Sequence, residues 1–439
     1  MDNQLKKTLS PFQLWAIVVG MVISGMYCGW NNALSSTSPV GFIIATLIVT
    51  VFYTAFMFSY AELATAMPKA DGASEYALRA TGRFGGFFAG FSAVVEFLFA
   101  TPAIAISIGS YINFILPSVP VTAAALAVYA IFVIINCIGV KTAAIIETVV
   151  TVVAIIGLIL FIGASFTHVS TAKIIGGDMF KGGFSGIFNA VPFAIWFYLA
   201  AEGGAMSAEE CKNPKKDIPK GFIFAIVTLV ILALATFLCT AGVLDIKTLG
   251  ATNSPIPDTL KAIFGKNSVL PKIISFIGLF GLIASLHGII IGYSRQVFAM
   301  ARSGYLPKAL SKLDSKGAPV PAIIIPSLIG MLFVLTNNTA VIIVISAFGA
   351  IALQVISMIS FFILRKKEPN MERPYKVPYF LAVVAIIIDV VFLITVTYAN
   401  KTTIGWVIGA FVLAGVYYFV YSKLSGRQIE MEVEEEKAV

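Results

Sequence analysis

The chain has 439 residues, of which 59% are hydrophobic and only 12% charged, with a mean hydropathy of +0.94. Soluble domains carry about twice that charged fraction, so a soluble enzyme or nucleic-acid-binding domain is excluded as a reading of the whole chain. The net charge of +8 therefore needs another explanation.

Apolar runs long enough to cross a bilayer, which takes roughly 20 residues, recur along the sequence. They predict an all-α membrane protein of twelve spans, at 12–35, 40–67, 86–116, 120–139, 143–166, 186–207, 221–243, 269–300, 320–337, 339–364, 378–397 and 403–422. The first run lacks the short apolar core and small-residue cleavage site of a secretory signal and is expected to stay as a span. The polar tail is too short to fold by itself, so no soluble catalytic domain is expected. Of the 30 Lys and Arg, 22 fall on the side of the N-terminus, seven on the other, and Arg295 lies inside a span. Lys/Arg in short loops accumulate on the cytoplasmic side, which predicts that both termini are cytoplasmic and accounts for the positive charge without nucleic acid. The run Glu430–Glu436 reads as a solvated tail. Cys28, Cys137, Cys211 and Cys239 are scattered, mostly within apolar runs, and suggest packing more than disulfides. With His168 and His287 far apart, neither a metal site nor a cofactor is expected.

Two spans carry small, flexible patches at membrane depth. Span one holds Gly20-Met21-Val22-Ile23-Ser24-Gly25-Met26, and span six holds Ala200-Ala201-Glu202-Gly203-Gly204. Glycines of this kind also serve close helix packing. A matched pair of interruptions five spans apart, however, points to a transporter site built from inverted repeats. A broken helix frees N–H and C=O groups that lipid cannot satisfy and a polar solute can.

Carboxyls inside a bilayer are costly and usually functional or paired. The candidates are Glu96, Glu147, Glu202 and Asp389, with Glu62 nearer a span end. Glu96 and Glu202 stand out because no Lys or Arg occupies the centre of their spans, leaving a cationic substrate or a transported proton as the missing partner. Glu147 and Asp389 are expected to be protonated carboxyls hydrogen-bonded to a neighbouring helix. Among nearby aromatics, Tyr27 and Trp196 are candidates to surround an ammonium group by cation–π attraction. His287 is a weaker candidate for a gating or proton role.

Several motifs, in order, resemble the amino acid–polyamine–organocation superfamily. The longest is Phe197-Tyr198-Leu199-Ala200-Ala201-Glu202 followed by the stretch from Ala208-Glu209-Glu210-Cys211 to Asp217-Ile218-Pro219. Others are Glu62-Leu63 with Met67-Pro68-Lys69, Asn136 with Gly139-Val140-Lys141, Ala301-Arg302-Ser303-Gly304, and Arg373-Pro374-Tyr375-Lys376. The resemblance implies a leucine-transporter-like fold of two five-span inverted repeats plus two appended spans. The corresponding segments are 1–11 (cytoplasmic N-terminus), 12–166, 186–364, 378–422 and 423–439 (acidic cytoplasmic tail). It also implies a substrate pocket among spans one, three, six, eight and ten. Ile23, Ser24, Gly25, Met26, Tyr27, Glu96, Thr101, Trp196, Ala200 and Glu202 would then line it, with Glu202 as the gating carboxylate.

Stretches such as Val22-Ile23-Ser24-Gly25, Val191–Phe197 and Tyr293-Ser294-Arg295-Gln296 look most similar to ethanolamine permeases. Met26 departs from the aspartate of those permeases, and Ala154 from a lysine found in several proton-coupled relatives. The expected function is therefore a secondary-active permease of the cell membrane for a small organic amine, ethanolamine or a close analogue, working by alternating access. A proton or sodium ion is the candidate coupling partner. The nearest rival is an amino-acid permease of the same fold, whose substrate carboxylate would use N–H groups at the Ser24-Gly25 patch. A membrane enzyme would need a nucleophile–base pair or metal cluster that the sequence does not offer, and a channel or receptor ordinarily lacks paired breaks with buried acids.

Overall fold

Helix ends in this chain are written in its capping residues. Ser10 and Gln13 form a reciprocal capping box ahead of Pro11, and the Ser38 hydroxyl accepts from the Gly41 N–H ahead of Pro39. Both arrangements satisfy N–H groups that the first turn leaves orphaned. In a computed structural model, residues 7–69, 71–138, 144–176, 178–265, 268–315 and 317–424 are described. Gly139, Val140, Lys141, Lys6, Lys266, Lys316, Arg427, Lys437 and the Glu430–Glu436 run lie outside them.

The described chain is all helical, and its helices match the expected twelve spans. They are Pro11–Ser35, Pro39–Ala66, Arg83–Ile115, Val121–Ile138, Ala144–Phe166, Gly183–Ile195 continued by Ala201–Glu210, Pro214–Ala241, Leu270–Arg302, Val320–Thr336, Thr339–Lys367, Tyr379–Ala399 and Lys401–Leu424. Ten are long and apolar enough to cross a membrane, and Gly183–Ile195 and Val320–Thr336 are shorter apolar helices. Span six is short because its second half is not α-helical.

Burial separates a core from a rim. The apolar windows of spans three and ten are each 83% buried, whereas those of spans four, five, eleven and twelve are 28% buried or less. Spans three and ten therefore form the axis, and Trp406, Leu413 and Phe419 of span twelve face outward as lipid-contacting side chains do.

The N-terminal side is fastened by charge. Glu62, at the end of span two, receives Arg365 at 2.8 and 2.5 Å, the Val377 N–H at 2.8 Å, and Arg373 at 3.3 Å. Arg79 makes a two-pronged pair with Glu368. On the opposite side the Asn31 amide donates to the carbonyls of Leu249 and Thr252, both at 2.7 Å, tying the end of span one to the loop before span eight.

Candidate functional site

The ladder of span one is interrupted where the small patch predicts. Ser285 of span eight inserts its hydroxyl between two backbone groups. It donates to the Gly20 carbonyl at 2.7 Å and accepts the Ser24 N–H at 3.1 Å, taking over a rung that a continuous helix would close itself. Ile23 bridges the two pieces in helical geometry, and a four-residue turn, Ser24–Tyr27, follows. Cys28 is extended and Gly29 has φ +91°, a conformation open to glycine, after which Trp30–Ser35 winds as a 3-10 helix.

Ser285→Ala should leave the Gly20 and Ser24 groups unpaired at membrane depth and cost about 1–3 kcal/mol. Unfolding of purified protein in mixed detergent checks this, with Ser285→Thr expected to retain most of the stability.

Span six breaks in the matching place. Its α-helix ends at Ile195, Ala200 sits in the left-handed region at φ +73°, and Ala201–Glu210 continues as ten residues of 3-10 helix. Such runs ordinarily end after three or four residues, and positive φ is uncommon for a residue with a Cβ. The two breaks pack directly on each other. A Cβ on Gly25 would stand 2.3 Å from the Trp196 carbonyl oxygen, and one on Gly29 would stand 2.5 Å from the Trp196 indole nitrogen. That indole donates to the Cys28 carbonyl at 2.9 Å.

Glu96 and Glu202 meet at this junction. Glu96 Oε1 accepts the N–H of the strained Ala200 at 3.0 Å, and Glu202 Oε1 accepts Gln354 Nε2 at 3.2 Å. Gln354 Nε2 also donates to the Tyr53 hydroxyl at 2.8 Å. Both carboxyls are buried and interact directly with each other, and the Oε2 of each has no hydrogen-bond partner. Among the described residues, neither makes an ion pair. Buried carboxylates with no cation beside them require a proton or a bound cation to be tolerated.

Two cavities adjoin the breaks. A small one, too tight to admit a water molecule, is lined by Met21, Val22, Ser24, Ala100, Ile104, Trp196, Leu199 and Ile289. A larger one of about 130 Å³ opens toward the N-terminal side between spans one, five, six and eight, and includes Glu147, Gly203, Glu210 and Arg295. Met21 lines both.

The structure brings Ile23, Ser24, Gly25, Glu96, Trp196, Ala200 and Glu202 together, whereas Tyr27, Thr101 and His287 turn to other partners. Tyr27 points between spans five and eight, its hydroxyl donating to the Ala154 carbonyl at 2.6 Å and its ring lying on Gly278 and Gly281. Thr101 faces span four, bonded to Tyr129 at 2.6 Å, while Ala100 and Ile104 line the small cavity. His287 contacts Asn136 of span four at 3.1 Å. Met26 is buried, with its carbonyl accepting from the Trp30 indole.

Glu147 borders the larger cavity with Oε1 unpartnered, and Asp389 is buried with both oxygens unpartnered. The expected hydrogen bonds of these two oxygen sets to neighbouring helices are absent among the described residues. Sequence reasoning missed Ser285, Gln354 and Tyr53. Gln354 carried a signal, as a primary amide within an otherwise apolar run; Ser285 carried none that sets it apart from other small residues in spans.

A family model described as amino acid permease matches residues 13–426. The chain belongs to the amino acid permease family. Among its relatives is the branched-chain amino acid permease BcaP of Bacillus subtilis, 25% identical over 405 residues, 86% of this chain and 85% of the relative. An uncharacterized transporter of Rhizobium meliloti is 26% identical over 314 residues, 69% and 67% of the two chains. The aromatic amino acid transport protein AroP of Salmonella typhimurium is 26% identical over 369 residues, 81% and 79% of the two chains. As a member of this family the chain is a multi-pass membrane permease for a small molecule.

Proposed function

We propose that this permease carries a small solute bearing an ammonium group past the paired breaks, by alternating access in the cell membrane. The reading rests on one observation: Glu96 and Glu202 are buried beside the breaks, each with one unpartnered carboxyl oxygen and with no ion pair to either among the described residues. An ammonium group is the solute chemistry that answers such a pair. Spans one to five and six to ten form the two repeats in this reading, and Lys/Arg asymmetry puts both termini in the cytoplasm. The larger cavity is then the cytoplasmic vestibule.

The Glu96 carboxyl pairs with the ammonium group, Trp196 walls the small cavity, and Glu202 holds the second half of span six through Gln354. Ethanolamine or a close analogue fits a site whose Ser24 N–H is already taken by Ser285. The second reading, an amino acid, is favoured by the names of the relatives and by the apolar lining from Val22, Ile104, Leu199 and Ile289.

In proteoliposomes, Glu96→Gln is expected to raise the half-saturating concentration about 10- to 150-fold, the equivalent of losing a charged hydrogen bond of about 1.5–3 kcal/mol. Uptake equal to wild type would remove Glu96 from the cargo site. Competition between ethanolamine and neutral amino acids for the same uptake separates the two cargoes.

A further inference from the structure

Arg295 is the one Lys or Arg that the sequence places inside a span, and the paired breaks leave it without a role. A cation within a span is costly and ordinarily has a partner. Among the described residues its nearest acid is Glu210 at 3.7 Å, beyond hydrogen-bond reach, and the side chain stays half exposed. Arg302, the last residue of span eight, lies over the Phe298 ring at 5.8 Å and, among the described residues, has no acid within 4 Å. Both guanidinium groups therefore keep their donors unused by the protein.

The two groups line one cavity. Seven residues, or two turns, separate them, so they leave span eight on the same face about 10 Å apart along its axis. The cavity holds about 330 Å³ and lies on the N-terminal side, the face where most Lys and Arg gather. Phe298 and Ala299 line it between the arginines, and Leu313, Gly317 and Pro319 of the loop after span eight supply another wall. That loop is braced. The Asp314 N–H donates to the Ala318 carbonyl at 2.9 Å, and the Ala318 N–H donates to Asp314 Oδ1 at 2.7 Å. Asp71, just before the helix Ala73–Thr81, supplies a third side. Gln296 ties that helix to span eight, its Nε2 donating to the Ser74 hydroxyl at 2.7 Å. Two arginines against one aspartate leave the lining with an excess of one positive charge.

We infer that this cavity is a binding site for a phosphate-bearing anion, held between Arg295 and Arg302. Each guanidinium is a rigid fork that matches phosphate or carboxylate oxygens in pairs. Two forks facing one cavity call for more acceptor oxygens than the two of a carboxylate, and a phosphate group supplies them. The apolar lining from Phe298, Leu313 and Pro319 strengthens each ionic hydrogen bond by lowering the local dielectric. The same chemistry belongs to an anionic phospholipid headgroup and to free phosphate, and basic pockets between spans on the cytoplasmic side are known to take headgroups. The site shares no residue with the paired breaks, so it stands whichever solute they carry.

The test follows the melting temperature of the purified, delipidated protein in neutral detergent at fixed ionic strength. The probes are inorganic phosphate and dihexanoylphosphatidylglycerol; acetate and dihexanoylphosphatidylcholine are the controls. A ligand that binds only the native state raises the melting temperature with its concentration. At least one probe should give a saturable rise that neither control gives. Arg295→Gln and Arg302→Gln should each weaken the response about tenfold or more, the loss of a charged hydrogen bond, and the double variant should abolish it. Lys308→Gln removes the same charge from an exposed position outside the cavity and should stay within about twofold of wild type. Without anion the variants should melt close to wild type, since neither arginine donates a hydrogen bond to the described residues.

A rise with the lipid alone identifies a headgroup site and a rise with inorganic phosphate alone a free-ion site; either supports the proposal. Absence of a rise with both probes overturns it. So does an equal response to either control, and so does a loss in Lys308→Gln as large as in Arg302→Gln, which marks a diffuse surface field. Should Arg295→Gln fail to fold, Arg302→Gln, at the helix end, decides alone.

Discussion

Replacing Glu62 by alanine is expected to lower the unfolding free energy by about 3–5 kcal/mol, the usual cost of removing one partner from a buried ion pair. Its side chain is only 2% exposed and gathers Arg365, Arg373 and the Val377 N–H, while the two arginines are 15% and 9% exposed. Alanine would strand two largely buried guanidinium groups, although Arg365 keeps its stacking on Phe361 at 4.5 Å and its bond to the Val377 carbonyl. The three partners come from span ten and from the connection to span eleven, so the loss detaches that connection from span two. Reversible unfolding in mixed detergent measures the effect. Glu62→Gln should cost less, because the amide oxygen still accepts. A loss below about 1 kcal/mol would put the cluster in the class of solvent-screened surface pairs.

This cluster also shows how far the sequence could be read. Span positions were legible because hydropathy needs only composition, and caps such as Ser10 with Gln13 and Ser38 ahead of Pro39 mark where helices begin. The breaks were legible for the same local reason: glycine and serine at Gly20–Gly25, and Glu202 beside Gly203 and Gly204, are changes of residue type within an apolar run. What holds the breaks was not legible. The hydroxyl that replaces the Gly20–Ser24 rung comes from Ser285, 265 positions away from Gly20, and a serine in a span has the same sequence appearance whether it bonds its own helix or another. Direction within a helix was equally hidden. Thr101 and Ala100 are one residue apart, and a turn of about 100° per residue sends the hydroxyl to Tyr129 and leaves the methyl at the cavity. Tyr27 follows the same logic, lying one residue beyond Met26 and turned into the gap left by Gly278 and Gly281.

The largest functional effect is expected at the contact between the two breaks. Gly25→Ala puts a methyl group 2.3 Å from the Trp196 carbonyl oxygen and 3.2 Å from the Phe197 Cα. Both obstacles are backbone, so no rotamer change relieves the clash, and overpacking of this kind costs about 1–3 kcal/mol when the structure must shift. The shift would separate the broken segments that position Ser24, Trp196 and the Ala200 N–H held by Glu96. Uptake is therefore expected to fall at least about tenfold, while the protein stays folded at a cost no larger than that overpacking term. Gly203→Ala should be milder, because its Cβ would meet the flexible end of Met21 at 2.6 Å. Gly163→Ala, with nothing within 4 Å, is the neutral control. Uptake and size-exclusion profiles of the three variants decide the matter: wild-type transport by Gly25→Ala would mean that the breaks work without touching each other. The graded order Gly163, Gly203, Gly25 would instead tie transport to the closeness of the two interrupted helices, an arrangement that hydropathy alone could not reveal.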